Sequence, residues 1–302
     1  MRVGCVHARR TGGNGDDMRI EIMRTALSGL DLLRREPAMA GAILVAQVLD
    51  VLIGIAINLT TAPPPAGAGI AIDLTRTGGG ALVSLVVLSL ANCAIFRALL
   101  RPDERSLFRF RLGMAEVRMF ALVLLMVVII AAAVAVYAVG ANLLFKVDAV
   151  WGAMDAMILF AFLTACGLAL ASVMVRLSLA GPKTFVDRRL RPLLAWRMLS
   201  RRFWPMAGVF AIVGVLVALL YATLLLVFSL AASLLGLSPD IGGVTSQSYT
   251  TLAEAFSAER LLFLAISTPI STLGILVLTA PGASVLAQLM ADTPDRRAEV
   301  FD

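Results

Sequence analysis

One histidine in the whole chain, His7, and three cysteines leave almost no material for a metal centre or a histidine-based catalytic site. Cys5, Cys93 and Cys166 lie far apart with no CxxC spacing, which argues against both a disulfide framework and a metal site. Charge is scarce too: 15% of residues are Asp, Glu, Lys or Arg, against roughly 25% in ordinary soluble domains. The Ser-rich stretches have neither a usable histidine nor the elbow that exposes a nucleophile. Gly78-Gly79-Gly80 and Gly242-Gly243 are not followed by Lys-Ser/Thr, so they read as turns rather than phosphate loops. Asp148 and Asp155 flank Trp151, but two carboxylates without further ligands make a poor cation site. No catalytic constellation and no cofactor motif survives, and the expectation is a protein that is not an enzyme.

What the chain has is apolar length. Of its 302 residues, 60% are hydrophobic, gathered into runs of roughly 20 or more, enough for a helix to cross about 30 Å of hydrocarbon. Six spans are expected near residues 38–59, 79–99, 119–145, 152–179, 204–235 and 261–288. Pro269 and Pro281 make the last the strongest candidate for a kink or break. Residues 1–17 are polar, Gly-rich and without the apolar core of a signal peptide, so they read as a disordered tail, with Met18 as an alternative start. The membrane domain then covers 18–292, and 293–302 form a C-terminal tail. Residues 60–78, with three consecutive prolines, read as an irregular loop, and 236–259 as a polar one with room for a short helix near Thr251–Ser257.

Charge sets the topology. Only Arg76, Lys146 and Arg260 of the 26 Lys and Arg fall in three of the connections; all others fall at the termini and in the alternate loops. Positive residues remain inside, so both termini are expected in the cytoplasm of a bacterial inner-membrane protein. The net charge of +6 does not point to nucleic acid. The arginines sit beside spans rather than in a separate basic domain, and anionic membrane lipid is the nearer partner.

The main basic loop, RLSLAGPKTFVDRRLRPLLAWRMLSRRFWP (176–205), carries Arg176, Lys183, Arg188, Arg189, Arg191, Arg197, Arg201 and Arg202 against one acid, Asp187. Arg97 and Arg176 each stand near the inner end of a span. Each either snorkels to the interface or joins the loop arginines in binding lipid phosphate; Trp196 and Trp204 suit the same interface. Before the first span, residues 20–36 have a helical period, with Ile20, Ile22, Met23, Ala26, Leu27, Leu30 and Leu33 on one face. Such a helix lies in the membrane interface or packs on the protein's own loops. Each outward span follows a charged segment, RREPAMAG (34–41), AEVRMFAL (115–122) and RRFWPMAG (201–208). This reflects either an internal repeat or shared requirements for entering a membrane.

Two stretches, LLRPDERSLFRFRLGMAEVRMFAL (99–122) and RLSLAGPKTFVDRRLRPLLAWRMLSRRFW (176–204), resemble the cytoplasmic signatures of a family of uncharacterised bacterial six-span inner-membrane proteins. That family is similar to the membrane domain fused to some glycerophosphodiester phosphodiesterases. The resemblance rests on Arg111, Leu112, Gly113, Glu116 and Arg118, and on Arg-Leu-Ser-Leu-Ala-x-Pro at 176–182. Where such proteins often have Ser-Trp-Arg-x-Thr-x-Gly, this chain has Ala195-Trp196-Arg197-Met198-Leu199-Ser200-Arg201. The resemblance implies a six-span membrane domain and no established activity.

Inside the first span, Gln47, Asp50, Gly54 and Asn58 recur at three and four residues, hence on one helical face. An ionised carboxylate there costs several kcal/mol unless partnered or protonated. Asp50 with its neighbours is either a proton or solute site or a participant in inter-helix hydrogen bonds to Asn92, Ser89, Asn142 or Thr164. The expected fold is thus all-α, a polytopic bundle of six transmembrane helices with amphipathic interfacial helices on the cytoplasmic side. The leading expectation for function is a non-enzymatic inner-membrane component acting through anionic lipid, an envelope partner or a second copy of itself. The alternative is a small solute or proton-coupled transporter using Gln47, Asp50, Asn58 and Asn92.

Overall fold

The computed structural model describes residues 22–60, 74–102, 109–110, 113–147, 153–190, 192–199, 203–237 and 251–291. The expected tails, 1–17 and 293–302, lie outside them, as do Arg191, Arg201 and Arg202. Among the described residues every regular element is a helix: α1 (Ile22–Ala26), α2 (Ser28–Arg35), α3 (Pro37–Thr60), α4 (Leu74–Leu100), α5 (Met114–Val147), α6 (Ala153–Leu177), α7 (Ala180–Asp187), α8 (Pro192–Leu199), α9 (Phe203–Leu234), α10 (Leu252–Ala255) and α11 (Ala258–Ala291).

Six of these stretches are long and apolar enough to cross a bilayer: Pro37–Thr60, Gly78–Leu100, Met114–Gly140, Phe160–Asp187, Phe203–Leu234 and Ala258–Met290. In hydrocarbon every backbone polar group must be satisfied within the chain, and a continuous helix does this by itself. The short helices begin on local signals. Pro192 is the first residue of α8, as Pro37 is of α3, where a missing N–H costs nothing. The Thr251 side chain accepts from the Glu254 backbone N–H at 3.3 Å and caps α10.

Two expectations are corrected. The glycines at 78–80 are not a turn; they lie inside α4, which begins at Leu74. A Cβ on Gly79 would meet the Ile57 side chain at 3.4 Å, so this face of α4 lies against α3. The last span is not broken: α11 runs as one helix through Pro269 and Pro281. Each proline removes one backbone bond, a loss that neighbouring helices make tolerable in membrane spans.

α11 is the axis of the bundle, packing against α1, α2, α3, α4, α7 and α9. The largest core lies towards one end, around Met39, Ile43, Ile95, Leu179, Leu276 and Leu286. Met39, Met119 and Met206, one from each of the charged segments 34–41, 115–122 and 201–208, are all buried in it. By contrast α5 and α6 expose Val136, Phe160 and Leu168. The small residues Gly167 and Ala171 are exposed, and a Cβ on Gly167 would meet nothing within 4 Å. They do not pack against the chain's own helices.

The segment before the first span differs from its expected form. The helix is interrupted at Leu27, and its buried face is Thr25, Ala26, Gly29 and Leu32, while Ile22 and Met23 are exposed. α2 packs on α11 and α1 on α9. Gly29 decides how closely: a Cβ there would stand 2.5 Å from the Leu276 carbonyl oxygen. Small residues permit this approach; larger apolar ones on the same helix do not.

Candidate functional site

Two polar assemblies emerge from this packing, one between α3, α4 and α11, the other around α7 and α8.

In the first, α3 and α4 run antiparallel and α11 lies against both. The Thr272 hydroxyl, with one hydrogen to give, lies 3.1 Å from the Gln47 side-chain oxygen and 3.0 Å from the Thr268 carbonyl oxygen of its own helix, and Thr279 donates to the Asn92 side-chain oxygen at 2.9 Å. The Ser84 hydroxyl sits 2.9 and 3.1 Å from the two Asp50 carboxylate oxygens. Gln47, Asp50, Ser84, Ser267, Thr268 and Ser271 line a cleft of about 280 Å³, with apolar walls that include Val51 and Ile275. Of the expected polar face, Gln47 and Asp50 therefore reach the cleft. Asn58 does not: it is buried and donates to the Gly54 carbonyl of its own helix at 3.0 Å. Asn92 joins α4 to α11 outside the cleft.

The partners differ from those expected. Asp50 bonds Ser84, Ser89 bonds the Leu85 carbonyl of its own helix, and Thr164 is exposed; the Asn142 side chain lies outside the described residues. Sequence reasoning missed the α11 contribution. The available signal was Thr268, Thr272 and Thr279, which share one helical face by spacing. Interhelical hydrogen bonds of this kind contribute about 0.6–2 kcal/mol in membranes. Thr272→Val is accordingly expected to lower stability against SDS unfolding in micelles by about 1 kcal/mol. Gln47→Leu added to it should cost little more, because both changes remove one shared bond.

At the other end, Arg97 is built into the protein. It is buried, forms an ion pair with Glu116, and donates to the Arg109 carbonyl at 2.9 Å. Arg109, in the left-handed region at φ 57°, in turn pairs with Glu36 at 2.7 Å and donates to the Arg101 carbonyl at 3.2 Å. The network ties the start of α3, the end of α4 and the start of α5 together. Glu116, one of the residues of the family resemblance, is thus the partner of Arg97.

Arg176 stacks on aromatic faces, its guanidinium carbon 4.7 Å from the Trp196 ring centre and 5.4 Å from that of Phe203. Its Nε is buried with no hydrogen-bond partner. This contact pins α8 against the end of α6. Lys183 pairs with Asp187 one turn along α7 at 2.9 Å. Arg188, which ends α7 in the left-handed conformation, and Arg189 and Arg197 are exposed. Leu190, Leu193 and Trp204, in the same stretch of the chain, are exposed as well, Leu193 to 76% and Trp204 to 81%. Leu190, Pro192, Leu193, Leu194 and Arg197 line a shallow groove there.

Among the described residues no group of three or more His, Cys, Asp or Glu is placed to hold a metal ion. The chain matches no protein-family model, no curated protein and no solved structure.

Proposed function

We propose that this chain is an integral inner-membrane protein that acts through anionic lipid, bound on the cytoplasmic side by the surface of α7 and α8. One observation carries the reading: Arg197 shares a groove with the exposed apolar side chains of Leu190 and Leu193, in a segment that also exposes Arg188, Arg189 and, a few residues on, Trp204. A purely water-facing surface gains nothing from exposing Leu and Trp. An interfacial surface gains on both counts, because apolar groups enter the acyl boundary while guanidinium groups meet phosphate. Each basic residue near an anionic leaflet adds about 1 kcal/mol. Arg176, clamped by Trp196 and Phe203, fixes the pitch of α8 so that this surface faces the headgroups.

The excess of arginine in the same loops supports the cytoplasmic placement. Lipid co-purifying with the protein should be measured by native mass spectrometry, beside the Arg188→Gln, Arg189→Gln, Arg197→Gln triple variant. The expected result is loss of most retained anionic lipid, in line with about 3 kcal/mol removed. An unchanged anionic fraction would sink the proposal and favour an envelope protein as the partner.

A further inference from the structure

The cleft between α3, α4 and α11 has a chemistry that lipid binding at α7 and α8 does not use. Among the described residues that line it, Asp50 alone is ionisable. The two contacts from Ser84 come from one hydroxyl, which has a single hydrogen, whereas a carboxylate offers about four acceptor positions. Among the described residues no Lys or Arg lines the cleft to balance the charge. Asp50 stands ten residues before the end of α3 at Thr60, about 15 Å along the helix axis. That depth keeps it from reaching bulk water as a long basic side chain does. A carboxylate so placed, with one donor and no counter-ion, calls for a positive guest.

The surroundings narrow the guest. The polar groups facing the carboxylate are hydroxyls of Ser84, Ser267, Thr268 and Ser271 and the carboxamide of Gln47, all able to offer oxygen. Oxygen ligands suit hard cations. A proton would neutralise Asp50 without needing either these oxygens or a 280 Å³ space, in which a water occupies about 30 Å³. A divalent ion would leave uncompensated charge in the hydrocarbon. An organic ammonium would gain from aromatic faces, and the lining has none.

We propose that the cleft binds a small monovalent inorganic cation, of the size of Na⁺ or K⁺, through the Asp50 carboxylate assisted by Ser84 and Ser271. The site lies within the spans and stands independently of lipid binding at α7 and α8.

The test is thermal unfolding of the full chain in nanodiscs, titrated with NaCl or KCl against N-methylglucamine chloride at constant ionic strength, at pH 6 and at pH 8. The expected result is a saturable rise in midpoint with Na⁺ or K⁺ but not with N-methylglucamine. Asp50→Asn should abolish it, and Ser84→Ala should raise the half-saturating concentration about tenfold, the equivalent of one lost ligand. A midpoint that follows pH and ignores the cation would overturn the proposal in favour of a proton site. So would an ion effect that survives in Asp50→Asn. Should Asp50→Asn not fold, Ser84→Ala and Ser271→Ala decide: unchanged half-saturation in both overturns the site.

Discussion

Arg97→Met is expected to destabilise the protein by about 3–5 kcal/mol, the cost of stranding the other half of a buried ion pair. The side chains of Arg97 and Glu116 are 8% and 7% exposed, and Glu116 Oε2 already has no hydrogen-bond partner. Without Arg97 its other oxygen would be stripped too, inside a core lined by Phe96, Met119 and Phe185. The Arg109 carbonyl would lose its donor as well. SDS or thermal unfolding in micelles measures the effect. The double variant Arg97→Met, Glu116→Leu should recover most of the loss, because a well-packed apolar pair is often as stable as a buried ionic one. If the double variant is instead as unstable as the sum of the two single ones, the ion pair is not the source.

The second large effect is expected at Gly29. Alanine there would put a Cβ 2.5 Å from the Leu276 oxygen, 2.7 Å from its carbonyl carbon and 2.9 Å from the Val277 Cα. All three are backbone atoms, so no rotamer change relieves the clash and α2 must lift from α11. Overpacking of this kind costs about 1–3 kcal/mol. Gly274→Ala is the matched control: it lies on the same helix α11, and a Cβ there meets nothing within 4 Å. Its effect should stay within about 1 kcal/mol, in the stabilising direction set by helix propensity. Equal loss at Gly29 and Gly274 would show that α2 does not approach α11 so closely.

These two residues also mark where sequence reasoning ended. The spans were legible because a bilayer demands long uninterrupted apolar helices, and that demand is written in consecutive residues. The expected 38–59 and 204–235 differ from the helices Pro37–Thr60 and Phe203–Leu234 by a residue at each end. The short helix at Leu252–Ala255 falls where the length of the polar loop left room for one, near Thr251–Ser257. Which face of a helix is buried was not legible. In water the apolar face is the buried face. In a membrane lipid takes apolar side chains as readily as protein does, and small residues settle the helix contacts. Hence Ala26 and Met23, expected together on one apolar face, part company, Ala26 buried and Met23 exposed, while Gly29, which belongs to no apolar stripe, is buried.

The polar sites divide in the same way. That Gln47 and Asp50 share a face followed from spacing alone. Their partners Thr272 and Ser84 did not, since pairing across 225 and 34 residues depends on which helices meet. Arg97 stood at the end of a span as a snorkelling arginine would, and only the fold shows Glu116 beside it. The glycines at 78–80 lie in a helix and not in a turn, because glycine is more readily accommodated inside spans than inside helices in water.

The position of α11 sets a timetable for biogenesis. At a synthesis rate of roughly 5–20 residues per second, the 225 residues between Gln47 and Thr272 take about 11 to 45 seconds to emerge. Through that interval Gln47 and Asn92 lie in the bilayer without their α11 partners, and the surface of α2 that Gly29 presents has no helix to meet. The first five spans wait as a loose, polar-edged assembly until the sixth closes it. A chain that ends after α9 would therefore leave the Gln47 and Asn92 amides in the membrane without the threonines that pair with them in the finished fold.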